Sequence, residues 1–534
     1  MAPIKIDIDA EQTEFEKEVA STEDWWKTPR QADIKSTENC RIAEYRKEEY
    51  ASSRQALKLW NQMQEHLGNG TYELTFGATD PIVIAEMAKY QQVRTHECGS
   101  HWGPLDQIDK VQTVYVSGYH CGFTQVLEPG MDQADYPWDT IPKVVEKIHR
   151  SQMWNDRRQH QIRMSKSKEE RAKMLAYDYL APIIADADMG FGGLTSTVKM
   201  AKLFVESGVA MIHVDDLASG MKRFTTGQGR TIVPTSEYIG RLTAVRMQFD
   251  IMGAETMLLM RTDLIKAQFM TSVIDPRDHE YIIGATTAVE PLTAVLAKAM
   301  EVGELSLKDL VRVGDDWEKT AGLMTFDEAV KAQATEEQYK AYEASIVFPT
   351  ALSKRREAAK KALGKDIFFD WELPRSREGQ YRYKWTMKGI TERCLAVAPL
   401  GDLTWPRMDF PDLAITGEIH AALRAKYPRR LFCFGYTNTY DWAGAGFSEA
   451  DVKDFPSKMA KQGAIFQIQP TWCVQGIRHY ADESAKMFRE EGMAGYVRDI
   501  QKPALAVGRS GLEDLGAYLT DAFFETIGAR DGIS

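Results

Sequence analysis

Short apolar runs of strand length alternate with long helical patterns through most of this chain. Eight runs fit this description: 72–76, 113–116, 182–185, 210–214, 256–260, 394–398, 430–434 and 464–468. Repeated strand–helix units favour a parallel sheet whose helices cover its outer face. The eight repeats therefore predict an α/β fold, a (β/α)₈ TIM barrel.

The interval between the fifth and sixth runs is too long for one crossover helix. Its helical spacing predicts an inserted helical subdomain. The expected division is an N-terminal helical region with a clear helix over 51–66, two barrel segments around the insertion, and C-terminal helices. The bounds of these five parts are 1–70, 71–279, 280–380, 381–480 and 481–534.

Two carboxylates follow the third run directly. Asp186 and Asp188 are spaced i, i+2, so in an extended strand their side chains share one face. A hard cation such as Mg²⁺ relieves the repulsion of such a pair and uses carboxylate, water and substrate oxygens as ligands. The alternative is a strand that runs into an acidic turn. Ser117, Asp215 and Arg261 also follow runs, and this position in a barrel favours a functional site.

Net charge and cysteine usage narrow the function classes. The formal net charge of -11 argues against a nucleic-acid partner, and no apolar run is long enough to span a bilayer. Six cysteines without close pairing indicate reduced thiols. The acidic segment 1–24 resembles neither a secretory signal nor a transit peptide. The last three residues do not match the peroxisomal targeting signal Ser-Lys-Leu. We expect a soluble intracellular protein, cytoplasmic, with the peroxisome as the alternative.

Several blocks resemble isocitrate lyase, within the superfamily that includes methylisocitrate lyase, oxaloacetate hydrolase and phosphoenolpyruvate mutase. The blocks occur in order at Phe76–Pro81, Val114–Gly118, Asp132–Pro137, Ile184–Gly193, Leu258–Asp263 and Tyr281–Thr286. The resemblance implies a barrel with an inserted helical domain and Mg²⁺ as cofactor, with Mn²⁺ as the alternative ion. It also implies retro-aldol cleavage of a small carboxylic acid to glyoxylate, and a homotetramer with exchanged C-terminal helices.

The resemblance also implies roles at the metal end of the site. Asp186 matches the direct Mg²⁺ ligand. Three further carboxylates match the groups that hold metal-bound waters, namely Asp132, Asp188 and Asp215.

Residues that resemble the glyoxylate cradle follow the second run. Ser117, Gly118 and the backbone amide of Tyr119 match the groups that bind the glyoxylate carboxylate, although tryptophan is usual at position 119. Tyr115 matches a phenol near the reacting oxygen. Arg261 matches the arginine that bridges both fragments, a role that suits a planar fork of donors.

The catalytic loop of the family is changed in this chain. The family pattern is Lys-Lys-Cys-Gly-His, and its cysteine supplies the acid. A gap-free alignment places Arg223 at the second lysine, Phe224 at the cysteine and Thr226 at the histidine. Because a phenyl ring has no titratable proton, the acid must come from elsewhere. The candidates are Tyr436, His120, Cys473 and a metal-bound water.

The side of the site that binds the second fragment also departs from the family. The hydroxyl groups of Thr437 and Thr439 match the family pattern, and Glu378 and Thr471 fall in matching blocks. In contrast, Gly435 stands at a family asparagine. Two further changes are Arg407 at a family glutamate and Trp472 in an altered block. We therefore expect a substrate other than plain isocitrate, such as an alkylated isocitrate-like acid.

Two other functions are open. Loss of the usual acid favours a non-catalytic paralogue that binds metabolites, and the superfamily also allows a hydrolase or mutase of oxaloacetate-like acids. A site without catalysis has no physical need to hold several buried like charges, which favours an enzyme. The long insertion favours the lyase branch.

Overall fold

The computed structural model describes residue 13 and residues 50–89, 113–164, 166–174, 176–222, 229–302, 306–437 and 440–506. Apart from residue 13, the helical pattern predicted for 1–49 lies outside the described residues. The helix predicted over 51–66 is confirmed as α1, Ala51–Asn69, which ends at Gly70 in the left-handed conformation.

Eight parallel strands form one sheet. In spatial order they are β1 Glu73–Phe76, β13 Phe466–Gln469, β12 Leu431–Gly435, β11 Leu403–Pro406, β6 Met257–Thr262, β4 Met211–Val214, β3 Ile183–Asp186 and β2 Val114–Val116. The two ends of the sheet meet, because Gly77 bridges Tyr115 in parallel and the Ala78 N–H donates to the Tyr115 carbonyl at 2.9 Å. The predicted barrel is thereby confirmed.

The sixth predicted strand is wrong. Residues 394–398 lie in α13, Met387–Val397, and in the following 3-10 turn Ala398–Leu400, whereas the sixth barrel strand is β11. Ile390, Cys394 and Val397 are buried at i, i+4 and i+7 spacing, which is the face of a helix. The short run 394–398 has the same apolar composition as a strand, and only the longer window distinguishes the two periods.

Helices cover the outer face of the barrel. They are α2 Pro81–Ala88, α3 Gly118–Thr124, α4 Thr140–Met164, α6 Leu194–Ser207, α7 Thr235–Met252, α13, α14 Leu413–Lys426 and α15 Glu449–Lys461. Two other helices are largely exposed: α5 Lys168–Arg171 has no buried residue, and α16 Trp472–Glu491 buries Cys473 alone. The strands alternate between the two faces. Val114 and Val116 pack toward the helices, while Tyr115 packs inside the barrel with Ile184 and Trp405.

The segment between β6 and β11 carries the long insertion. Among the described residues, the insertion contains five helices before α13, namely α8 Leu292–Glu301, α9 Leu307–Ala321, α10 Phe326–Gln333, α11 Glu336–Ser345 and α12 Leu352–Leu363. It also contains the antiparallel pair β8 Ile283–Ala285 and β9 Leu323–Thr325, and a second small sheet joins β5 Arg230–Ile232, β7 Ala267–Met270 and β10 Tyr381–Arg382. The sequence patterns predicted neither small sheet. The five domain bounds stay a prediction.

The chain continues past α16 as α17 Met493–Tyr496, a π-helical turn Val497–Gln501 and α18 Lys502–Ala506. Within the described ranges, no helix combines the length and the apolar character that crossing a bilayer requires.

Candidate active site

Three of the predicted carboxylates meet at the C-terminal ends of β3 and β4. Asp186 is the last residue of β3, Asp188 follows it, and Asp215 follows β4. The Asp215 N–H donates to the Asp188 carbonyl at 2.8 Å, which joins the two loops. Asp188 adopts a positive φ of 47°, a conformation that aspartate tolerates better than most residues. All three carboxylates are buried.

The ammonium of Lys222 lies between two of these carboxylates. Its Nζ donates to Asp188 Oδ1 and to Asp215 Oδ2, the latter at 2.7 Å. Burial lowers the pKa of Lys222 to about 8, and burial raises the pKa of Asp188 to about 7. The cation that the paired carboxylates require is therefore supplied here by the chain itself.

The donor chemistry of this cluster fits a hard divalent ion. Asp186 accepts the Asp188 N–H at 2.9 Å on Oδ1 and the Gly118 N–H at 3.3 Å on Oδ2. Asp188 Oδ2 is buried and has no hydrogen-bond partner among the described residues. As they stand, no three acidic, histidine or cysteine side chains in the described part of the chain are arranged to hold a metal ion. The oxygens suit Mg²⁺, but Lys222 holds two of the carboxylates.

Opposing effects act on the metal-ligand candidate Asp186. Burial by itself raises the pKa of this carboxyl, but the neighbouring charges of His213, Lys222 and Arg261 lower the pKa to about 2. Asp186 is therefore ionised at neutral pH, as a metal ligand must be.

The loop that carries Asp132 packs against this cluster. Asp132 is half-buried, and its Oδ1 accepts the Ala134 N–H at 2.9 Å. Further along the loop, Tyr136 approaches Gly118 so closely that a Cβ on Gly118 would lie 2.5 Å from the Tyr136 hydroxyl and 2.9 Å from Asp186 Oδ2. Glycine at 118 thus permits the contact that brings α3, this loop and Asp186 together.

The predicted carboxylate cradle lies at the same place. Ser117 is the residue before α3, and both Ser117 and Gly118 are buried, whereas Tyr119 is half-buried. Because the Gly118 N–H already points at Asp186, the first turn of α3 faces the carboxylate cluster.

Tyr115 and His213 form a buried pair inside the barrel mouth. The Tyr115 hydroxyl lies 2.9 Å from His213 Nε2, which in turn lies 3.5 Å from Asp186 Oδ1. Burial raises the pKa of Tyr115 well above its ordinary value and lowers the pKa of His213 to about 4, so the phenol stays protonated and the imidazole neutral. Our sequence analysis missed His213. Its signal is a single polar residue within the apolar strand β4.

Arg261 ends in a buried ion pair. Its Nε lies 2.9 Å from Asp263 Oδ2, and its guanidinium lies 4.9 Å from the centre of the Trp405 ring. Asp263 also accepts from Arg407 Nη1 at 2.7 Å. Burial alone raises the pKa of Asp263, but Arg261 and Arg407 lower it well below its ordinary range. Asp263 is a second residue that the sequence analysis did not single out.

Three of the remaining predicted site residues fall within the described part of the chain. Thr471 follows β13 and donates to Gln469 Oε1 at 2.8 Å. Thr437 follows β12, and Glu378 is exposed on the turn before β10. Four predicted residues lie outside the described residues, namely Arg223, Phe224, Thr226 and Thr439.

The candidate proton donors have other hydrogen-bond partners or neighbours. Tyr436 donates to Gln467 Oε1 at 2.5 Å, and its ring packs against Phe455 on the outer face of the sheet. The Cys473 thiol donates to the Pro470 carbonyl at 3.3 Å. His120 is buried, and burial followed by the charge of Lys147 lowers its pKa to about 4.

Comparison with known proteins gives the family. The sequence model described as the isocitrate lyase family matches residues 18–516. The chain belongs to the isocitrate lyase family. The resemblance drawn from the sequence blocks is thereby confirmed.

Full-length relatives within the isocitrate lyase family carry two activities in their names. The chain is 48% identical to the mitochondrial 2-methylisocitrate lyase of Schizosaccharomyces pombe over 98% of both chains. It is 36% identical to the isocitrate lyase of Oryza sativa subsp. japonica, over 98% of this chain and 92% of the relative. It is 35% identical to the isocitrate lyase of Saccharomyces cerevisiae, over 93% and 89%. Membership therefore places the chain among lyases.

Proposed function

We propose that this protein is a Mg²⁺-dependent carbon–carbon lyase that cleaves an isocitrate-type 2-hydroxy acid by a retro-aldol reaction. The observation that carries the proposal is the buried group of Asp186, Asp188 and Asp215 beside the Tyr115–His213 pair. Asp186 would hold the metal, with Asp132, Asp188 and Asp215 around its waters. The ion, when bound, supplies positive charge to the oxygens of the 2-oxo acid fragment.

Chain residues account for the chemistry around that ion. In the reaction, a base removes the proton of the substrate hydroxyl, the C–O bond becomes a carbonyl, and the bond between that carbon and its neighbour breaks. The electron pair of the broken bond leaves with the second fragment, which takes up one proton in return. Tyr115 stays protonated because burial raises its pKa, so its hydroxyl donates a hydrogen bond to the oxygen that becomes a carbonyl. Arg261 balances carboxylate charge, and Ser117 with the first amides of α3 orients the 2-oxo acid.

The names of the relatives offer two acids as candidate substrates. Retro-aldol cleavage of isocitrate releases glyoxylate, and the same cleavage of 2-methylisocitrate releases pyruvate, with succinate as the second product in both. We favour 2-methylisocitrate for two reasons. The S. pombe relative named for that substrate is 48% identical, and the side chain at position 119 is a tyrosine, which leaves more room than the usual tryptophan for one additional methyl group. One methyl group can change kcat/KM by about 10–200-fold.

The test is direct product analysis. Purified protein with Mg²⁺ is given each acid, and glyoxylate and pyruvate are separated as their phenylhydrazones. We expect pyruvate from 2-methylisocitrate, little glyoxylate from isocitrate, and neither product from Asp186→Asn. Equal turnover of both acids would refute the preference. No turnover of either acid would refute the lyase proposal.

A non-catalytic role is the second candidate, because Phe224 and Thr226 align with the acid and the histidine of the family loop. That role predicts Mg²⁺-dependent binding of oxalate, a stable two-carbon analogue, without turnover. The same preparation distinguishes the two candidates when oxalate binding is measured by calorimetry beside the product assay.

Assembly and compartment are also proposals. We propose a homotetramer with exchanged C-terminal helices. Exposed apolar side chains along α16 and α17, among them Ile477, Tyr480, Phe488 and Met493, support it, and light scattering measures it. We propose the cytoplasm as compartment. The word "mitochondrial" in the name of the S. pombe relative makes the mitochondrion the second candidate, and cell fractionation distinguishes them.

A further inference from the structure

A cluster of charged residues, here named the arginine cluster, lies where β6 and β11 end. It consists of Arg230, Arg261, Asp263, Arg407 and Asp409. Asp263 pairs with Arg261 and Arg407, at 2.9 Å and 2.7 Å. Asp409 pairs with Arg230 at 2.9 Å and with Arg407 at 3.2 Å. Arg407 therefore joins the two carboxylates.

Three guanidinium groups share two carboxylates in the arginine cluster. Each guanidinium has five N–H donors, so the donors of the cluster outnumber its carboxylate oxygens, and an anionic ligand can accept hydrogen bonds from the donors that remain. The side chain of Arg407 is 20% exposed, compared with 7% for Arg261, so Arg407 is the more accessible of these two arginines to such a ligand.

The arginine cluster is next to the carboxylates of the metal end. In the sheet, β6 lies between β4 and β11. Val214 at the end of β4 is opposite Met260, and Arg261 is opposite Trp405 of β11, so Asp215, Arg261 and Arg407 follow neighbouring strand ends. A ligand that reaches from the metal end to Arg407 therefore spans only the mouth of one barrel.

The Trp405 ring lies against both Arg261 and the end of β12. The Trp405 ring covers Gly435 so closely that a Cβ on Gly435 would lie 2.1 Å from Trp405 Cζ2. Arg261 stacks above the same ring, and Trp405 Nε1 is buried without a hydrogen-bond partner among the described residues. An apolar wall with guanidinium groups at its rim suits a carboxylate on a short hydrocarbon stem.

We propose that Arg407 is a specificity-determining residue that binds a carboxylate of the second fragment. The inference rests on the proposed lyase function and names the group that recognises the departing piece. The planar fork of an arginine pairs with a carboxylate through two parallel hydrogen bonds, which gives both charge balance and orientation.

The test compares Arg407→Gln with Arg407→Lys and a matched control. Lys266→Gln is the control, because Lys266 also lies near Asp409, at 3.7 Å, but is 59% exposed. Calorimetry of the full chain with Mg²⁺ measures Kd for succinate, for its monomethyl ester and for oxalate. We expect Arg407→Gln to weaken succinate binding by about 10- to 100-fold, with oxalate within about twofold. Arg407→Lys should retain part of the affinity for succinate, and Lys266→Gln should retain the full affinity.

Three results would overturn the inference. The first is an unchanged affinity for succinate in Arg407→Gln. The second is equal affinity of the wild type for succinate and its monomethyl ester. The third is an equal loss of affinity for oxalate and succinate in Arg407→Gln, which indicates a structural role. Failure of the lyase proposal is seen separately. A wild-type protein that binds succinate through Arg407 but releases no 2-oxo acid refutes the reaction and supports the site.

Discussion

Replacing Lys222 by methionine tests whether its ammonium is the internal counter-ion of the carboxylate cluster. The wild-type side chain is 2% exposed and pairs with Asp188 and Asp215, which are fully buried. Removal of one partner from a buried ion pair costs about 3–5 kcal/mol, because the remaining charge is uncompensated. We expect Lys222→Met to lower the free energy of unfolding by this amount at pH 7, where Lys222 is still protonated, without added metal.

The destabilisation by Lys222→Met depends on pH, and the pKa shifts give the direction of that dependence. Burial already raises the pKa of Asp188 to about 7 and that of Asp215 well above its ordinary value, and loss of the ammonium raises both further. The folded protein then binds more protons than the unfolded chain above about pH 4, so its stability falls as pH rises. The destabilisation by Lys222→Met is therefore larger at pH 7 than at pH 5.

Divalent ions give the second readout. Mg²⁺ that binds only the folded protein raises the free energy of unfolding by about 2.7 kcal/mol when its concentration is 100 times its Kd. In the wild type the ion must displace Lys222, whereas in the variant it meets unpaired carboxylates. We expect Mg²⁺ to stabilise the variant more than the wild type, and Mn²⁺ to bind the variant more tightly by electron paramagnetic resonance.

Urea unfolding followed by tryptophan fluorescence measures these effects at one protein concentration. Lys143→Met is the control, because its pair with Asp139 is on the surface, with the lysine 70% exposed, and costs at most about 1 kcal/mol. A variant as stable as the wild type at pH 7, or one that Mg²⁺ stabilises less, would refute the role of Lys222.

Two further predictions concern other buried groups. Tyr115→Phe removes the hydroxyl that faces His213, so kcat on the preferred acid should fall by about 100-fold with little change in KM or melting temperature, and a wild-type kcat would remove Tyr115 from the reaction. The ring of His420 stacks on that of Phe432 with 3.8 Å between centroids, and burial lowers the pKa of His420 to about 3. Below pH 6.5 the unfolded chain therefore binds a proton at this histidine that the folded chain does not bind. Between pH 7 and pH 5 this costs about 2 kcal/mol of stability, which His420→Phe should recover and the exposed His479→Phe should not.

The barrel was predictable because most strands end where their apolar run ends. Asp186 and Asp215 follow runs of four or five apolar residues, and the structure places both at the C-terminal mouth. The sixth strand was missed for a physical reason. β11 is only Leu403–Pro406, and its proline argues against a central strand, whereas the nearby run at 394–398 looks like a strand but is the buried face of α13.

The contacts within the site were less predictable than its residues. Lys222 reaches Asp188 across 34 positions of sequence, and nothing local to either residue indicates that pairing. Arg407 reaches Asp263 across 144 positions. His213 lies within the apolar strand β4, where a single polar residue is usually part of the core and does not indicate a functional site. Such contacts follow from which strands are neighbours, which the order β11, β6, β4 and β3 determines.

That strand order also explains why the mouth has two electrically opposite ends. β3 and β4 are adjacent and end in Asp186 and Asp215, whereas β6 and β11 are adjacent and end in Arg261 and Arg407. A molecule with a hydroxy acid at one end and carboxylates at the other complements this gradient in one orientation only, because the reverse orientation leaves the metal end without oxygen ligands. Exchange of the charge at position 407 should therefore change which second fragment binds, while the orientation of the 2-oxo acid end stays fixed by Asp186 and α3.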